Sequence, residues 1–453
     1  MRAAAASRAW PALARARRRP LSLLSNSLTL IAAKVAAMAL GFVFWVLAAR
    51  LFAPAEVGLA AGVVSAMMLC TQLATLGFGS AVIAHYPEHR QHPSALLNSA
   101  FLLVAGAAAV CAALFVLFAA GVFGELDVVG SAPGYAALFA GAAVFGTLWI
   151  ILDQVSTTLR RGDQALVRGV LFGGSCVTVL VAVAVLTDAA GWEYIFLPWV
   201  VSGAAVCAAG LLQLRRSLPG WRMRPEIDAP LAGRLVRLGL PNWALTMAER
   251  TPGLMLPVIV TELLSPQANA AWYAAWMMAW VVYIVPIQVG LTLFAELVDD
   301  PSALGRSIRR GVRISLSLGL SAALVVALGA DLALSILGAS YAEEGATPLR
   351  ILVLAVIPLT LVQAYFAACR ASRRLGGAIV AGWLWAGLSV GLAALAGVRW
   401  GLTGMAIAWV ASQYGMGAWA ALGLRRVRAD FRASRAEVAH VPVPEAAPGP
   451  ALT

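Results

Sequence analysis

The sequence predicts an all-α polytopic membrane protein of about twelve transmembrane helices. Of its 453 residues, 61% are hydrophobic and only 12% are charged, whereas a soluble globular domain has roughly 45–50% apolar residues. Apolar runs of about 20 residues, long enough to cross a hydrocarbon core of roughly 30 Å, recur from Asn26 to Leu424. Arginines collect in the short connections between these runs, so the net charge of +12 indicates topology signals rather than nucleic-acid binding.

Twelve spans follow from the apolar runs and the turn residues between them. They cover residues 26–50, 57–84, 96–123, 134–159, 166–187, 194–214, 236–261, 268–295, 312–337, 347–369, 376–397 and 402–424. With the amino terminus inside, about 28 of the 33 basic residues face the cytoplasm, including Arg168 in the connection after span 4. This asymmetry predicts that both termini are cytoplasmic. The basic residues are almost all arginine, and alanine and glycine are abundant, which indicates a GC-rich bacterial genome and so a place in the bacterial inner membrane.

The same reading divides the chain into five parts. Residues 1–23 form a basic cytoplasmic arm, 24–214 a first six-helix bundle, 215–235 a basic linker, 236–424 a second six-helix bundle, and 425–453 a basic, Pro/Ala-rich tail.

The two predicted bundles resemble one another. Leu51-Phe52-Ala53-Pro54 after span 1 matches Leu263-Leu264-Ser265-Pro266 after span 7, and the arginine turns after spans 4 and 10 are offset by a similar distance of about 210 residues. Because six spans are an even number, both copies enter the membrane in the same direction, which predicts a parallel repeat with a substrate site between the halves. Chance matching of short motifs is the alternative.

Charged residues in the middle of span 7 are candidates for function, because each costs at least about 2.5–3.5 kcal/mol there unless it is paired or hydrated. Glu249 and Arg250 are adjacent, and adjacent helical positions diverge by about 100°, so their side chains cannot both face one partner. Pro241, Pro252 and Pro257 each remove a backbone donor from the same span and predict a bent, gate-forming helix. Static pairing of the two charges with neighbouring helices is the structural alternative.

The first half offers a second charged set. Lys34 in span 1 and Asp153 in span 4 have similar predicted depths from the cytoplasmic side, so we expect them to form or exchange an ion pair beside a central cavity. Lys34 would then be available to an anionic headgroup. Snorkelling of Lys34 to the inner interface is the alternative. Glycine pairs at Gly58/Gly62 and Gly387/Gly391 predict close helix packing.

Several function classes lack their signature. Lys34 is the only lysine and lies within a span, so a P-loop ATPase is excluded. The five cysteines are scattered through apolar runs, which predicts no metal site and no cofactor. An enzyme is the least favoured class, because no nucleophile and base form an apparent pair.

Three stretches resemble the bacterial polysaccharide flippases, in the superfamily that also holds multidrug-and-toxin extruders and peptidoglycan-precursor flippases. The stretch FWVLAARLFAPAEVGL at residues 44–59 is similar to the family's end of helix 1 and start of helix 2. Gly239-Leu240-Pro241 followed by Glu249-Arg250 resembles its helix 7, and Leu159-Arg160-Arg161-Gly162 its basic turn after helix 4. The family pair is commonly Asp-Arg, so Glu249 is one methylene longer. The resemblance extends over about residues 24–424.

The resemblance implies two six-helix bundles, alternating access and an undecaprenyl-pyrophosphate-linked oligosaccharide as cargo, with Na⁺ or H⁺ coupling in some members. On this reading Lys34 and Arg250 hold the pyrophosphate headgroup, while Asp153 and Glu249 couple ions or hold those cations in place. Expected partners are the lipid-linked oligosaccharide, membrane lipids and glycan polymerases or glycosyltransferases.

Two other functions stay open. A multidrug antiporter on the same fold would need aromatic cavity walls, for which Trp272, Tyr273, Trp276 and Trp280 are candidates. The other alternative is a non-transporting scaffold subunit of a glycan assembly complex.

Overall fold

A computed structural model describes residues 23–89, 93–188, 190–300, 304–372 and 374–439. Every regular element in these ranges is helical. Nine of these helices are long and apolar enough to cross a membrane. The prediction of an all-helical, multi-pass membrane protein is therefore confirmed.

Fourteen α-helices follow one another in these described ranges. They are α1 (Leu23–Leu51), α2 (Pro54–Ala74), α3 (Phe78–His85), α4 (Pro93–Val122), α5 (Pro133–Thr158), α6 (Gly162–Leu186), α7 (Trp192–Ser217), α8 (Ala229–Leu263), α9 (Pro266–Asp299), α10 (Leu304–Leu328), α11 (Ala330–Ser335), α12 (Ala339–Leu352), α13 (Val356–Ala371) and α14 (Gly376–Ala439). Short 3₁₀ turns lie at Tyr86–His89, Leu126–Val129 and Val353–Ala355.

Span 2 departs from the sequence prediction. The apolar run predicts one span over 57–84, but the structure divides it into α2 and α3. Leu76 (φ 46°) and Gly77 (φ 78°) are both left-handed there, a conformation that a right-handed helix cannot contain. The apolar pattern gave no sign of this break, because the residues around it are themselves apolar.

Other helix ends follow local chemistry. Pro54 and Pro133 open α2 and α5, where the missing backbone donor of proline has no cost. The Asp228 carboxylate accepts a hydrogen bond from the Leu231 backbone N–H at 2.9 Å, so α8 begins at Ala229 rather than at the predicted 236. Inside α14, left-handed Gly401 (φ 63°) separates the two spans predicted for that region.

Contacts divide the chain into two compact units, residues 1–274 with 334–341 and residues 275–333 with 342–453. In the first unit α1 packs along α6, α5 packs on α4 and α7, and α8 packs on α2 and α3. The described part of the 215–235 linker is fixed to α4: the Trp221 indole donates to the Asn98 side chain at 3.1 Å, and the Asp228 N–H donates to the Ser99 hydroxyl at 2.9 Å. The predicted bundle boundaries stay a prediction.

In the second unit, an aromatic cluster joins α9 to α14. Trp276 lies 4.9 Å from Trp409 and 6.1 Å from Tyr283 between ring centroids. The Tyr283 hydroxyl donates to the Leu352 carbonyl at 2.5 Å, which ties α12 to the same cluster. Aromatic packing and this buried bond together fix the core of the unit.

Candidate functional site: helix α8 and its two ends

The predicted charged pair lies on α8. The Glu249 residue is half-buried and Arg250 is exposed, as expected for neighbouring positions that diverge around a helix. Their assignment to the headgroup and to ion coupling stays a prediction.

The three prolines lie within one helix. α8 continues from Ala229 to Leu263 through Pro241, Pro252 and Pro257, so none of them ends it. Pro252 and Pro257 are buried, whereas Pro241 is exposed. Each still removes one backbone hydrogen bond from the helix interior, so the proposed role as a bend or gate stays a prediction.

The first-half charges are arranged differently from the expectation. The described side chains of α1 begin at residue 37, so that of Lys34 lies outside them. The Asp153 carboxylate has a partner on α6: the Arg168 guanidinium reaches its Oδ1 with Nη2 at 2.7 Å and with Nε at 3.0 Å. Asp153 therefore carries a charge partner whatever the position of Lys34.

Arg168 is the centre of a buried polar cluster. Its side chain is 1% exposed, and it also donates to Gln213 Oε1 at 2.5 Å, to Ser156 Oγ at 2.8 Å and to the Leu152 carbonyl at 3.2 Å. The placement of Arg168 in a cytoplasmic connection is therefore wrong: the residue lies inside α6 and joins α5, α6 and α7. A buried guanidinium needs such partners, and the charge pattern alone cannot separate it from a topology arginine.

Glu262, near the carboxyl end of α8, holds the connection between α4 and α5. Its Oε2 accepts hydrogen bonds from the backbone N–H groups of Gly124 at 2.8 Å and Glu125 at 3.3 Å, and its Oε1 accepts one from Leu126 at 2.7 Å. Bonds to an ionised carboxylate are roughly twice as strong as neutral ones. We call this region the carboxylate end of α8.

Backbones approach closely at the same end. A Cβ added to Gly58 on α2 would overlap the Pro266 carbonyl, and one added to Gly62 would lie 2.5 Å from the Thr261 hydroxyl oxygen. Asn269, fully buried, donates to the Gly58 carbonyl at 2.8 Å. The close packing predicted for Gly58 and Gly62 is thus present.

The prediction for the second glycine pair, Gly387 and Gly391, is wrong. Among the residues that the structure describes, a Cβ at either position would have no neighbour within 4 Å, so no described helix approaches them closely.

Arg50 makes a further contact near the carboxylate end. Its Nε donates to the Ile336 carbonyl at 2.9 Å and its Nη2 to the Ser335 carbonyl at 3.3 Å, where α11 ends. A cation is favourable at the carboxyl end of a helix, because the last carbonyls there lack intrahelical partners. Arg50 therefore ties the end of α1 to residues 335–336.

The opposite end of α8 is closed without charge. Gly239 on α8 meets Gly77, and a Cβ on either glycine would overlap the backbone of the other. The Trp243 indole N–H donates to the Gln72 carbonyl at 3.2 Å. We call this region the glycine end. Leu231 and Leu235 of α8 are also buried nearby, in an apolar cluster with residues of α3 and α4.

Sequence reasoning missed most of these contacts. Glu262 and Asn269 flank the Pro266 turn and look like ordinary polar residues at a helix boundary, while Gly77 lies in an apolar run. Sequence signals existed for Gly58 and Gly62, as a pair of small residues, and for Gly239, which is part of the Gly-Leu-Pro motif. In the described part of the chain no group of three or more His, Cys, Asp or Glu residues could hold a metal ion.

The chain is similar to known proteins in both sequence and fold. Residues 23–222 match the model of a family described as polysaccharide biosynthesis protein, which confirms the resemblance drawn from the sequence. No curated protein matches the whole chain at a significant level.

Solved structures share the fold at low identity. The lipid II flippase MurJ, in an inward closed conformation, aligns with a TM-score of 0.69 and 12% identity over 92% of this chain and 94% of its own. A multidrug resistance MATE family transporter of the MOP superfamily, in an inward-facing conformation, aligns with a TM-score of 0.65 and 14% identity over 86% and 95%. The MATE transporter VcmN of Vibrio cholerae gives 0.62 and 12% over 89% and 95%. At these identities the likeness shows the fold, which is that of membrane transporters.

Proposed function

We propose that the chain is a flippase for a lipid-linked oligosaccharide in the bacterial cytoplasmic membrane, because its residues 23–222 match the model of the polysaccharide biosynthesis protein family. The cargo would be a glycan precursor on undecaprenyl pyrophosphate. The family match is the observation that carries this proposal. The transporter fold supports it, since MurJ, a lipid II flippase, aligns over nearly the whole chain.

The contacts of α8 support alternating access. The helix is closed against α2 and its neighbours at both ends, by Glu262 and Asn269 at one end and by Gly239 and Trp243 at the other. Opening one end while the other stays closed would give the cargo access from one side at a time. With the amino terminus in the cytoplasm, the carboxylate end lies on the extracytoplasmic side and the glycine end on the cytoplasmic side.

A pyrophosphate headgroup requires cations in the passage, while the lipid tail stays in the bilayer. We assign that role to Arg250 and Lys34, with Glu249 as their counter-charge or as an ion-coupling group. Asp153 is held by Arg168 at 2.7 Å, so any coupling role of Asp153 would have to work against this ion pair. Na⁺ or H⁺ would supply the driving force, and glycan polymerases or glycosyltransferases would act before or after the flippase.

Reconstitution into proteoliposomes with a fluorescent lipid-linked oligosaccharide tests the proposal. We expect the unmodified protein to move the lipid, and Arg250→Ala and Lys34→Ala to slow the movement at least tenfold, because each removes a headgroup cation. Arg399→Ala, at an exposed position on α14, is the matched control and should leave the rate unchanged. Equal rates of lipid movement in all variants would contradict the assignment of Arg250 and Lys34 to the headgroup. No lipid movement by the unmodified protein would contradict the proposed function.

A multidrug antiporter is the second candidate, because several MATE transporters share the fold. An antiporter would need aromatic side chains that are exposed to its cavity. Trp272 is only 0% and Trp276 only 8% exposed, because both are packed inside the protein, whereas Trp280 is 37% exposed. Efflux of a cationic dye from the same proteoliposomes, without flipping, would favour the antiporter.

A further inference from the structure

Glu262 differs from the other acidic residues that the structure describes near its end of α8. Glu125 lies in the same region, yet it contributes its backbone N–H rather than its carboxylate to the contact. The Glu262 carboxylate uses both oxygens and accepts three backbone N–H groups within one turn of chain, at 2.7–3.3 Å. The two segments that it joins are 136 to 138 residues apart in sequence.

The segments joined by Glu262 belong to different predicted bundles. Residues 124–126 connect α4 to α5, and Glu262 is in the last turn of α8. At this end the Leu126 side chain is fully buried, and Gly58 and Gly62 allow the backbones to touch. The three bonds to Glu262 add a directional attraction that apolar packing does not supply.

We propose that Glu262 is the gating residue of the extracytoplasmic side, whose bonds to residues 124–126 must break each time that side opens. The proposal rests on the flippase function and on the topology proposed above. The three bonds are lost together when α8 moves away, because one carboxylate accepts all of them. Their strength therefore sets how often the extracytoplasmic side opens.

A reporter cysteine at this end measures the opening directly. Ala270 is 3% exposed and its backbone N lies beside Gly58, so Ala270→Cys should react with a membrane-impermeant maleimide only when the end opens. In right-side-out vesicles holding the full chain, we expect Glu262→Gln to raise the labelling rate about tenfold. The amide replaces a charged acceptor and turns one oxygen into a donor that faces an N–H group. Glu262→Asp keeps the charge and should give an intermediate rate.

Glu344→Gln is the matched control, since it removes an exposed carboxylate of α12, and should leave the rate unchanged. An unchanged rate in Glu262→Gln, or an equal rise in inside-out vesicles, would overturn the proposal. Loss of folded protein in both Glu262 variants would make the residue structural and would also overturn it. Labelling needs no cargo, so a rise in labelling without oligosaccharide flipping would remove the flippase function and leave the gate.

Discussion

At the carboxylate end of α8, one ionised side chain accepts three backbone hydrogen bonds, whereas at the glycine end two backbones touch and one neutral indole donates a single bond. The first closure is directional and depends on charge. The second joins two backbone segments and a neutral hydrogen bond, beside the apolar cluster that buries Leu235 of α8. The difference predicts that removing the Glu262 charge opens the carboxylate end alone, whereas the glycine end responds to changes at Gly239 and Trp243.

The largest expected effect is a loss of overall stability that does not distinguish the two ends of α8. Arg168→Met leaves Asp153 and Gln213 without their buried partner and should destabilise the protein by about 3–5 kcal/mol. Thermal unfolding in detergent measures the loss. The hydrogen bonds of Arg168 join α5, α6 and α7 and include no residue of α8, so the ratio of labelling at the two ends should not change.

Arg161→Met is the matched control for that variant. It removes a partly exposed ion pair with Asp163, 2.8 Å long, and should cost no more than about 1 kcal/mol. Equal losses in the two variants would show that the Arg168 cluster is not a structural anchor.

The glycine end should open when volume is added at the contact between Gly239 and Gly77. Gly239→Ala places a Cβ against the Gly77 backbone and should cost about 1–3 kcal/mol, because backbone atoms cannot move aside as a side chain can. Ala74→Cys, at a fully buried position at the end of α2, reports this opening in inside-out vesicles, where labelling should rise.

Gly233→Ala on the same helix is the control, since its Cβ would have no neighbour within 4 Å. Labelling that rises equally in both variants would mean that helix propensity, and not the contact with Gly77, decides the result.

The carboxylate end has a neutral component that can be removed separately. Asn269→Ala deletes the buried amide that donates to the Gly58 carbonyl at 2.8 Å and leaves that carbonyl without its bond, at a cost of about 1–2 kcal/mol. Labelling at Ala270→Cys should rise, but less than in Glu262→Gln. Gln267→Ala, at an exposed position two residues before Asn269, should have no effect. A larger rise in labelling for Asn269→Ala than for Glu262→Gln would mean that the Asn269 bond, and not the Glu262 bonds, holds this end closed.

Sequence patterns predicted the helical membrane fold because the length of each apolar run and the arginines beside it are read from neighbouring residues. They predicted the turn at Ala53-Pro54 and the packing at Gly58 for the same reason. The partners of Glu262 and Arg168 were out of reach, because each contact joins residues distant in sequence: residues 124–126 for Glu262, and Asp153 and Gln213 for Arg168. A glutamate or an arginine gives the same sequence pattern whether its side chain lies in solvent or forms hydrogen bonds inside the protein.

The smallest effect is expected at the indole bond of the glycine end. Trp243→Phe keeps an aromatic ring and removes the donor to the Gln72 carbonyl, so it should cost about 0.5–1.5 kcal/mol, the usual net value of one neutral hydrogen bond. Labelling at Ala74→Cys should rise at most severalfold, and Trp280→Phe, a partly exposed tryptophan of the second unit, should not change it. A rise as large as that of Gly239→Ala would mean that the indole bond, rather than the meeting of Gly77 and Gly239, holds this end closed. Both ends of α8 would then be held closed mainly by hydrogen bonds, those of Glu262 at one end and that of Trp243 at the other.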